Sequence, residues 1–339
     1  MGRPVALVTG ASGEMGHLLL PALEHRGYDI VSLDLVPLEA AQSAWCAETV
    51  TASILDAEVL DDLFRRHHPE IVFHLAAVLS TKAERDPDLA YDVNTHGTVS
   101  LFRRARDEAR VRGGSVRFFF PSSIAVYGLA DARAKEAAGA VKENDWNCPS
   151  GMYGINKLYC ETLGSYFTRR ALERGEPGID FRSIRFPGLV SAETLPSGGT
   201  SDYAPEMIHA AAQGKPYACF VRADTRLPFM TMPDAVDALL ALTFADPRAL
   251  TTRVYNIGAF SPSAAEIRAA LLEPFPDARI DFEPEAARQA IVDTWPADVD
   301  DRRARVDWGH SPRLGLREAL RDYLVPALLQ RYGARAATR

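Results

Sequence analysis

Val5-Ala6-Leu7-Val8-Thr9-Gly10-Ala11-Ser12-Gly13-Glu14-Met15-Gly16 is the stretch whose reading decides the fold. Val5 to Val8 is a short apolar run of the kind that forms a buried parallel strand. Beyond the glycines, Leu18, Leu19, Leu20, Ala22 and Leu23 cover a broad helix face. Gly10, Gly13 and Gly16 therefore mark a tight strand-to-helix turn whose bare backbone can approach a pyrophosphate. The helix start, at Gly13, Glu14, Met15 and Gly16, adds amide hydrogens and a partial positive charge. A second strand, Ile30-Val31-Ser32-Leu33, ends in Asp34, where an acid bonding the adenosine ribose hydroxyls is expected. A carboxylate there repels a 2′-phosphate, and no Arg follows in the next few positions, so the pattern favours NAD over NADP. Asp56 has two readings, a contact to the adenine amine or an N-cap of the helix that follows.

Strand and helix go on alternating after this turn. Asp56 to His67 reads as a helix, Ile71 to Ala77 as a buried strand, Ala90 to Arg110 as a long helix, and Val116 to Phe120 as another strand. Leu129 to Trp146, rich in Ala, Lys, Glu and Asp, reads as an exposed connection. A helix from Tyr153 to Leu172 and a strand from Phe181 to Phe186 follow. This alternation predicts an α/β fold, a Rossmann-type doubly wound parallel sheet. After Pro187-Gly188 the elements shorten, and Ser191 to Asp202 is a loop dense in Ser, Thr, Gly and Pro. The expected organisation is a nucleotide-binding domain over 1–187 and a smaller substrate lobe over 188–330. Segments near 221–260 return to the main domain, among them Tyr255-Asn256-Ile257.

Bulk properties exclude several classes. With 339 residues, 47% of them hydrophobic, the chain can bury one large α/β domain or a domain with an appended lobe. Its net charge of -7 is dispersed, with no basic stripe for nucleic acid. No apolar run approaches ~18 residues, so no membrane span is expected, and the first strand begins too early for a signal peptide. Cys46, Cys148, Cys160 and Cys219 are too scattered for a disulfide framework or a zinc site, which fits a reducing, cytoplasmic compartment. No metal site is expected.

Tyr153 and Lys157 lie four residues apart on one helix face. A phenol titrates near pH ~10 and becomes a useful base only where a cation stabilises its phenolate. A lysine one turn away supplies one cation and an oxidised nicotinamide a second. The pair thus suggests a base that removes a hydroxyl proton as hydride leaves the same carbon. Ser122-Ser123 close the strand that ends Phe118-Phe119-Phe120, and ligands sit beyond such strand ends. Ser123 can there donate to the oxygen on which charge develops.

The ensemble Thr9-Gly-Ala-Ser-Gly-Glu-Met-Gly16, His74-Leu-Ala-Ala77, Asn94, Ser122-Ser123 and Tyr153-x-x-x-Lys157 resembles the extended short-chain dehydrogenases/reductases, from about residue 4 to about residue 325. Finer segments are similar to short-chain L-threonine 3-dehydrogenases. They are His74 to Ser80, Pro121 to Val126, Arg185 to Leu189, Gly198-Gly-Thr-Ser-Asp-Tyr-Ala204, Asp224 to Asp234, and Asp293-Thr-Trp-Pro296 with Asp300-Asp301. Glu14-Met15 in the glycine turn and the charged Arg170 to Gly178 stretch depart from the pattern. The resemblance implies Tyr153 as base and Lys157 as a ribose ligand that lowers the phenol pKa. It makes Ser123 the group polarising the reacting oxygen and Asn94 a support of the hydrogen-bond network. Ile54, Leu75, Ala76 and Ala77 join the glycine turn, Asp34 and Asp56 around NAD. Ser80, Gly188, Thr200 and Asp202 join Ser123 and Tyr153 around the substrate.

The implied reaction is NAD-dependent oxidation of L-threonine to 2-amino-3-ketobutyrate. Asp202 or its loop is the expected ammonium ligand, with Ser80 and Thr200 near the carboxylate, and the opposite assignment of the two ends stays open; Thr200 and Asp202 also read as caps of the helix starting near Tyr203. The same Tyr, Lys and Ser would serve a sugar-nucleotide 4-epimerase or another hydroxy-acid dehydrogenase. An epimerase needs basic residues for a diphosphate, and Arg222 and Arg226 are the cluster that suggests them. A non-enzymatic NAD sensor would not need Tyr153, Lys157 or Ser123. Helices Ala90–Arg110 and Tyr153–Leu172 are the pair by which the superfamily forms homodimers.

Overall fold

The computed structural model describes residues 2–196 and 198–336. β1 (Val5–Thr9), β2 (Asp29–Asp34), β3 (Glu48–Thr51), β4 (Ile71–His74) and β5 (Ser115–Ser123) join the strands Gly178–Phe186 and Val254–Asn256 in one seven-stranded sheet. The order runs Val254–Asn256, Gly178–Phe186, β5, β4, β1, β2, β3. β1 pairs in parallel with β2 on one side and β4 on the other. Strand addition reverses there, which opens a crevice beyond the carboxyl end of β1. β4 and the Gly178–Phe186 strand are buried along their whole length, as strands covered on both faces must be. Leu7, Val31, Val72, Phe118 and Phe120 pack with Leu60, Leu101, Phe102 and Phe181. Phe102 meets Phe118 edge-on at 4.7 Å.

Several elements differ from expectation. β3, an alternating Glu-Thr-Val-Thr strand at the sheet edge, is too short and polar to announce itself. The strand from Ile71 ends at His74, not Ala77, which leaves Leu75-Ala76-Ala77 as a loop. The long helix expected from Ala90 opens with a π-helical turn, Tyr91–Gly97, before the α-helix Thr98–Arg112. Leu129 to Trp146 is largely exposed, as expected, but it is not a bare connection. It forms a helix, Ala132–Ala138, and a strand, Ala140–Val141, paired in parallel with Asp298–Val299. Leu129, Lys135, Val141 and Glu143 are buried, and the Lys135 ammonium donates to the Val292 carbonyl at 2.9 Å. Composition misleads here because polar side chains turned inward find partners distant in sequence.

The chain divides into two compact units, one of Met1–Val126, Met152–Arg185 and Leu239–Tyr255, the other of Tyr127–Gly151, Phe186–Ala238 and Asn256–Arg339. Against the line drawn at residue 187 from sequence, Tyr127–Gly151 groups with the second unit, and of the 221–260 range expected to return to the first only Leu239–Tyr255 groups with it. In that unit Gly188–Val190 pairs with Phe229–Thr231, and Tyr217–Cys219 with Ile280–Phe282. Among the described residues no helix is long and apolar enough to cross a membrane, and no group of His, Cys, Asp and Glu is arranged to hold a metal.

Candidate functional site

The turn after β1 leaves no room for side chains. Gly10 has φ +71°, and a Cβ there would lie 2.4 Å from the Ala76 amide nitrogen. A Cβ on Gly16 would lie 2.0 Å from the Ala11 carbonyl oxygen. Gly13 is the N-cap of α1 (Glu14–His25) and supplies no capping side chain, so the first amides of α1 face the turn as an anion site. Asp34 joins this cradle from the end of β2: one carboxylate oxygen accepts from the Ser12 amide at 2.9 Å, the other from the Val36 amide at 3.1 Å. A carboxylate offers about four lone-pair positions, so two bonds leave acceptor capacity for ribose hydroxyls. The cradle fits a dinucleotide with a free 2′-hydroxyl. Asp56 is the N-cap of the Ala57–His67 helix, accepting from the Glu58 and Val59 amides at 3.1 Å. Of its two readings, the capping one is seen directly. Ile54 is buried beneath the π turn, with its Cδ1 2.7 Å from where a Cβ on Gly97 would sit.

Asn94 lies within the π turn and is buried. Its side chain accepts from the Val78 amide at 2.7 Å and donates to the Val78 carbonyl at 2.9 Å. It thereby fixes the backbone that follows Leu75-Ala76-Ala77. π turns are frequent at functional sites because the displaced backbone bond re-aims a side chain. Beneath the turn lie three polar residues that sequence reasoning did not single out: Thr9, His74 and Thr98, in contact at 2.7 and 2.9 Å. His74 stood inside a quoted motif, but its partners become visible only once β1 and β4 are adjacent.

Tyr153 and Lys157 occupy the first turns of the helix Met152–Arg174. A buried pair fixes that helix to the sheet, Arg185 and Glu161 at 2.7 Å. Tyr153 is half-buried against the cluster of Val78, Ala83 and Ala90. The Lys157 ammonium stands 5.4 Å from the Tyr153 ring centroid and 4.4 Å from that of Phe120, and donates to the Pro121 carbonyl at 2.6 Å. Burial drives the Lys157 pKa down to about 8. Burial also raises the Tyr153 phenol above its ordinary value, which reverses the lowering expected from Lys157 in the protein by itself. The cause is geometric: the ammonium is turned to Pro121, and desolvation dominates at the phenol. Ser123 closes β5 with its Oγ accepting from the Ala125 amide at 3.1 Å, which leaves the hydroxyl proton available for donation. Ser122 beside it is buried, its Oγ without a partner among the described residues. Ser80 begins the helix Ser80–Arg85 in the same unit.

Gly188, Thr200 and Asp202 belong to the second unit. Gly188 answers a packing demand, since a Cβ there would lie 2.4 Å from the Phe229 ring. Thr200 is buried. Asp202 precedes the helix Tyr203–Ala212, yet its side chain does not cap that helix. It turns back to accept from the Gly198 and Gly199 amides at 2.8 and 2.6 Å, so the capping reading of Asp202 is corrected. Both amides donate to the same oxygen, Oδ2, so the carboxylate gathers the two glycines to itself. Arg288 holds the other side of this loop, donating to the Gly199 carbonyl at 3.1 Å while lying over the Phe220 ring. Sequence reasoning missed Arg288, which carries no motif.

Residues 6–258 match the NAD dependent epimerase/dehydratase family. An uncharacterized epimerase/dehydratase of Staphylococcus saprophyticus is 31% identical over 313 residues, covering 91% of this chain and 92% of its own. A solved monomeric L-threonine 3-dehydrogenase from a metagenome superposes with TM-score 0.85 at 34% identity, covering 96% of this chain and 99% of the other. The L-threonine dehydrogenase of Cupriavidus necator, in its holo form, gives TM-score 0.83 at 34% identity, covering 95% and 99%.

Proposed function

We propose that this chain, which belongs to the NAD-dependent epimerase/dehydratase family, oxidises L-threonine to 2-amino-3-ketobutyrate. Its cofactor is NAD, and the Gly10–Gly16 turn and Asp34 are the residues that would hold it. The observation that carries the substrate reading is the occupation of the two arginines a nucleoside diphosphate would need. Arg222 grips Asp293 through bonds of 2.8 and 3.0 Å and bonds Asp224 at 3.1 Å. Arg226 pairs with Glu266 at 2.9 Å and donates to the Ser261 carbonyl. Charges neutralised in this way make a poor diphosphate cradle. A small zwitterion asks for less: one acceptor for its ammonium and a few donors for its carboxylate. The likeness to L-threonine 3-dehydrogenases along nearly the whole chain supports the same reading.

In the proposed reaction Tyr153 takes the proton of the β-hydroxyl and Ser123 donates to the same oxygen as it becomes a carbonyl. Bound NAD supplies the hydride acceptor and a positive charge. Burial holds the Tyr153 phenol protonated, so proton removal requires cationic help from Lys157 and that charge together. Asp202 retains lone pairs for the substrate ammonium, and Ser80 and Thr200 attend the carboxylate. The test is to supply the purified protein with NAD and either L-threonine or a UDP-sugar. NADH accumulating with L-threonine is expected; conversion of the UDP-sugar to its epimer without added NAD would favour an epimerase instead.

We also assign the protein to a reducing cytoplasm, in keeping with its four free cysteines, and to a homodimer. Ile155, Tyr159 and Tyr166 stand exposed at helical spacing along Met152–Arg174, a face suited to a second copy. A monomeric mass by light scattering would remove that assignment.

A further inference from the structure

His74 has no part in the chemistry above, yet it lies fully buried between the nucleotide turn and the turn that carries Asn94. Its Nδ1 is 2.7 Å from Oγ1 of Thr9, the residue before Gly10, and its Nε2 is 2.9 Å from Thr98 Oγ1. Thr98 Oγ1 donates to the Asn94 carbonyl at 2.6 Å. A hydroxyl has one proton. With that proton spent on Asn94, Thr98 can only accept from His74, so the imidazole proton sits on Nε2. The imidazole Nδ1 is then an acceptor, and the Thr9 hydroxyl donates a hydrogen bond to it. The direction of every bond follows: Thr9 to His74, His74 to Thr98, Thr98 to the Asn94 carbonyl. Cys160, three residues beyond Lys157, donates to the same carbonyl at 3.3 Å, and the Asn94 amide grips Val78.

We propose that His74 is a positioning residue that couples the NAD-binding turn to Asn94, using its neutral Nε2–H tautomer as a rigid two-ended link. The packed Gly10 turn holds Thr9 at the end of β1 in the position that the cofactor meets. Through His74 and Thr98 this fixes the π turn and the Val78 backbone that Asn94 holds. The ring stays neutral throughout, since burial with Lys157 nearby lowers its pKa to about 3; it therefore relays geometry and not protons. The inference rests on NAD binding by this family and is independent of which substrate is oxidised.

The test uses full-length protein and NAD binding measured by calorimetry, with turnover as a second readout. Thr98→Val keeps the volume and removes the link, and Thr98→Ser restores the hydroxyl. The expected result is that Thr98→Val weakens NAD binding about tenfold, the scale of one buried hydrogen bond with its orphaned partner. Thr98→Ser should return to within about threefold of the parent. His74→Leu combined with Thr98→Val should be no worse than the worse single variant, since both break one chain. Unchanged NAD affinity in a folded Thr98→Val protein, or additive losses in the double variant, would overturn the coupling. Nitrogen chemical shifts of the His74 ring in the unsubstituted protein give a second check that no folding defect can obscure. A neutral ring protonated on Nε2 is expected, and a charged or Nδ1-protonated ring contradicts the proposal.

Discussion

The Gly10–Gly16 turn and the Gly198–Gly199 loop both use glycine, for opposite reasons. At Gly10 and Gly16 the neighbouring backbone stands closer than any Cβ could tolerate; the turn is rigid because it is packed. Around Gly198, with φ +90°, there is open space, and a Cβ on Gly199 would meet only the Asp202 carboxylate, at 2.8 Å. That loop keeps its shape through one carboxylate bonding two amides and one guanidinium on the Gly199 carbonyl. The difference suits the ligands assigned to each. A dinucleotide's pyrophosphate is best met by preorganised backbone amides. A small amino acid is best met by polar side chains on a segment able to adjust as it binds.

The contrast can be broken by substitution. Gly10→Ala is expected to have the largest effect, abolishing NAD binding in a titration and lowering stability by ~3 kcal/mol or more, from left-handed strain plus overpacking. Were it as mild as Gly198→Ala, the packed-turn account would fail. Asp202→Asn should come next. Losing a charge-assisted bond to an ammonium should raise the KM for L-threonine by about tenfold or more, while the KM for NAD stays within about twofold. Equal rises in both constants would mean that Asp202 only shapes the protein.

Lys157→Met separates stability from activity. The ammonium pKa is lowered on folding, to about 8, so the unfolded chain binds the proton more tightly. The group therefore destabilises the cofactor-free fold below pH ~8, and the penalty fades as pH rises toward ~10. The variant should lose turnover yet melt higher than the parent at neutral pH, with the advantage shrinking between those limits. A lower melting temperature at neutral pH would contradict this sign. Gly198→Ala is the smallest case, with a cost of about 1 kcal/mol from strain at positive φ and NAD affinity unchanged.

Residues whose roles are local were legible from sequence. The glycine spacing, Asp34 at the end of β2 and the Tyr153/Lys157 pair each depend on a few neighbouring positions and a regular period. Other features depend on which strands lie side by side. Thr9 and His74 meet only because β1 pairs with β4, and Arg288 reaches Gly199 from 89 residues away. The π turn at Tyr91–Gly97 interrupts a helix without interrupting its composition, so a 3.6-residue period reads straight through it. Lys135 and Glu143 look solvent-facing until distant partners are known. The burial of the Tyr153 phenol and the turning of the Lys157 ammonium to Pro121 are not legible from spacing, which only places the two side chains on one helix face.

The most direct measurement is NADH formation from L-threonine by the parent protein and by Tyr153→Phe, each with its NAD affinity determined alongside. The account predicts turnover in the parent, none above background in the variant, and NAD affinities within about twofold, because the phenolic hydroxyl acts on the substrate proton and not on cofactor binding. NADH formed equally by both proteins, or by neither, would contradict it.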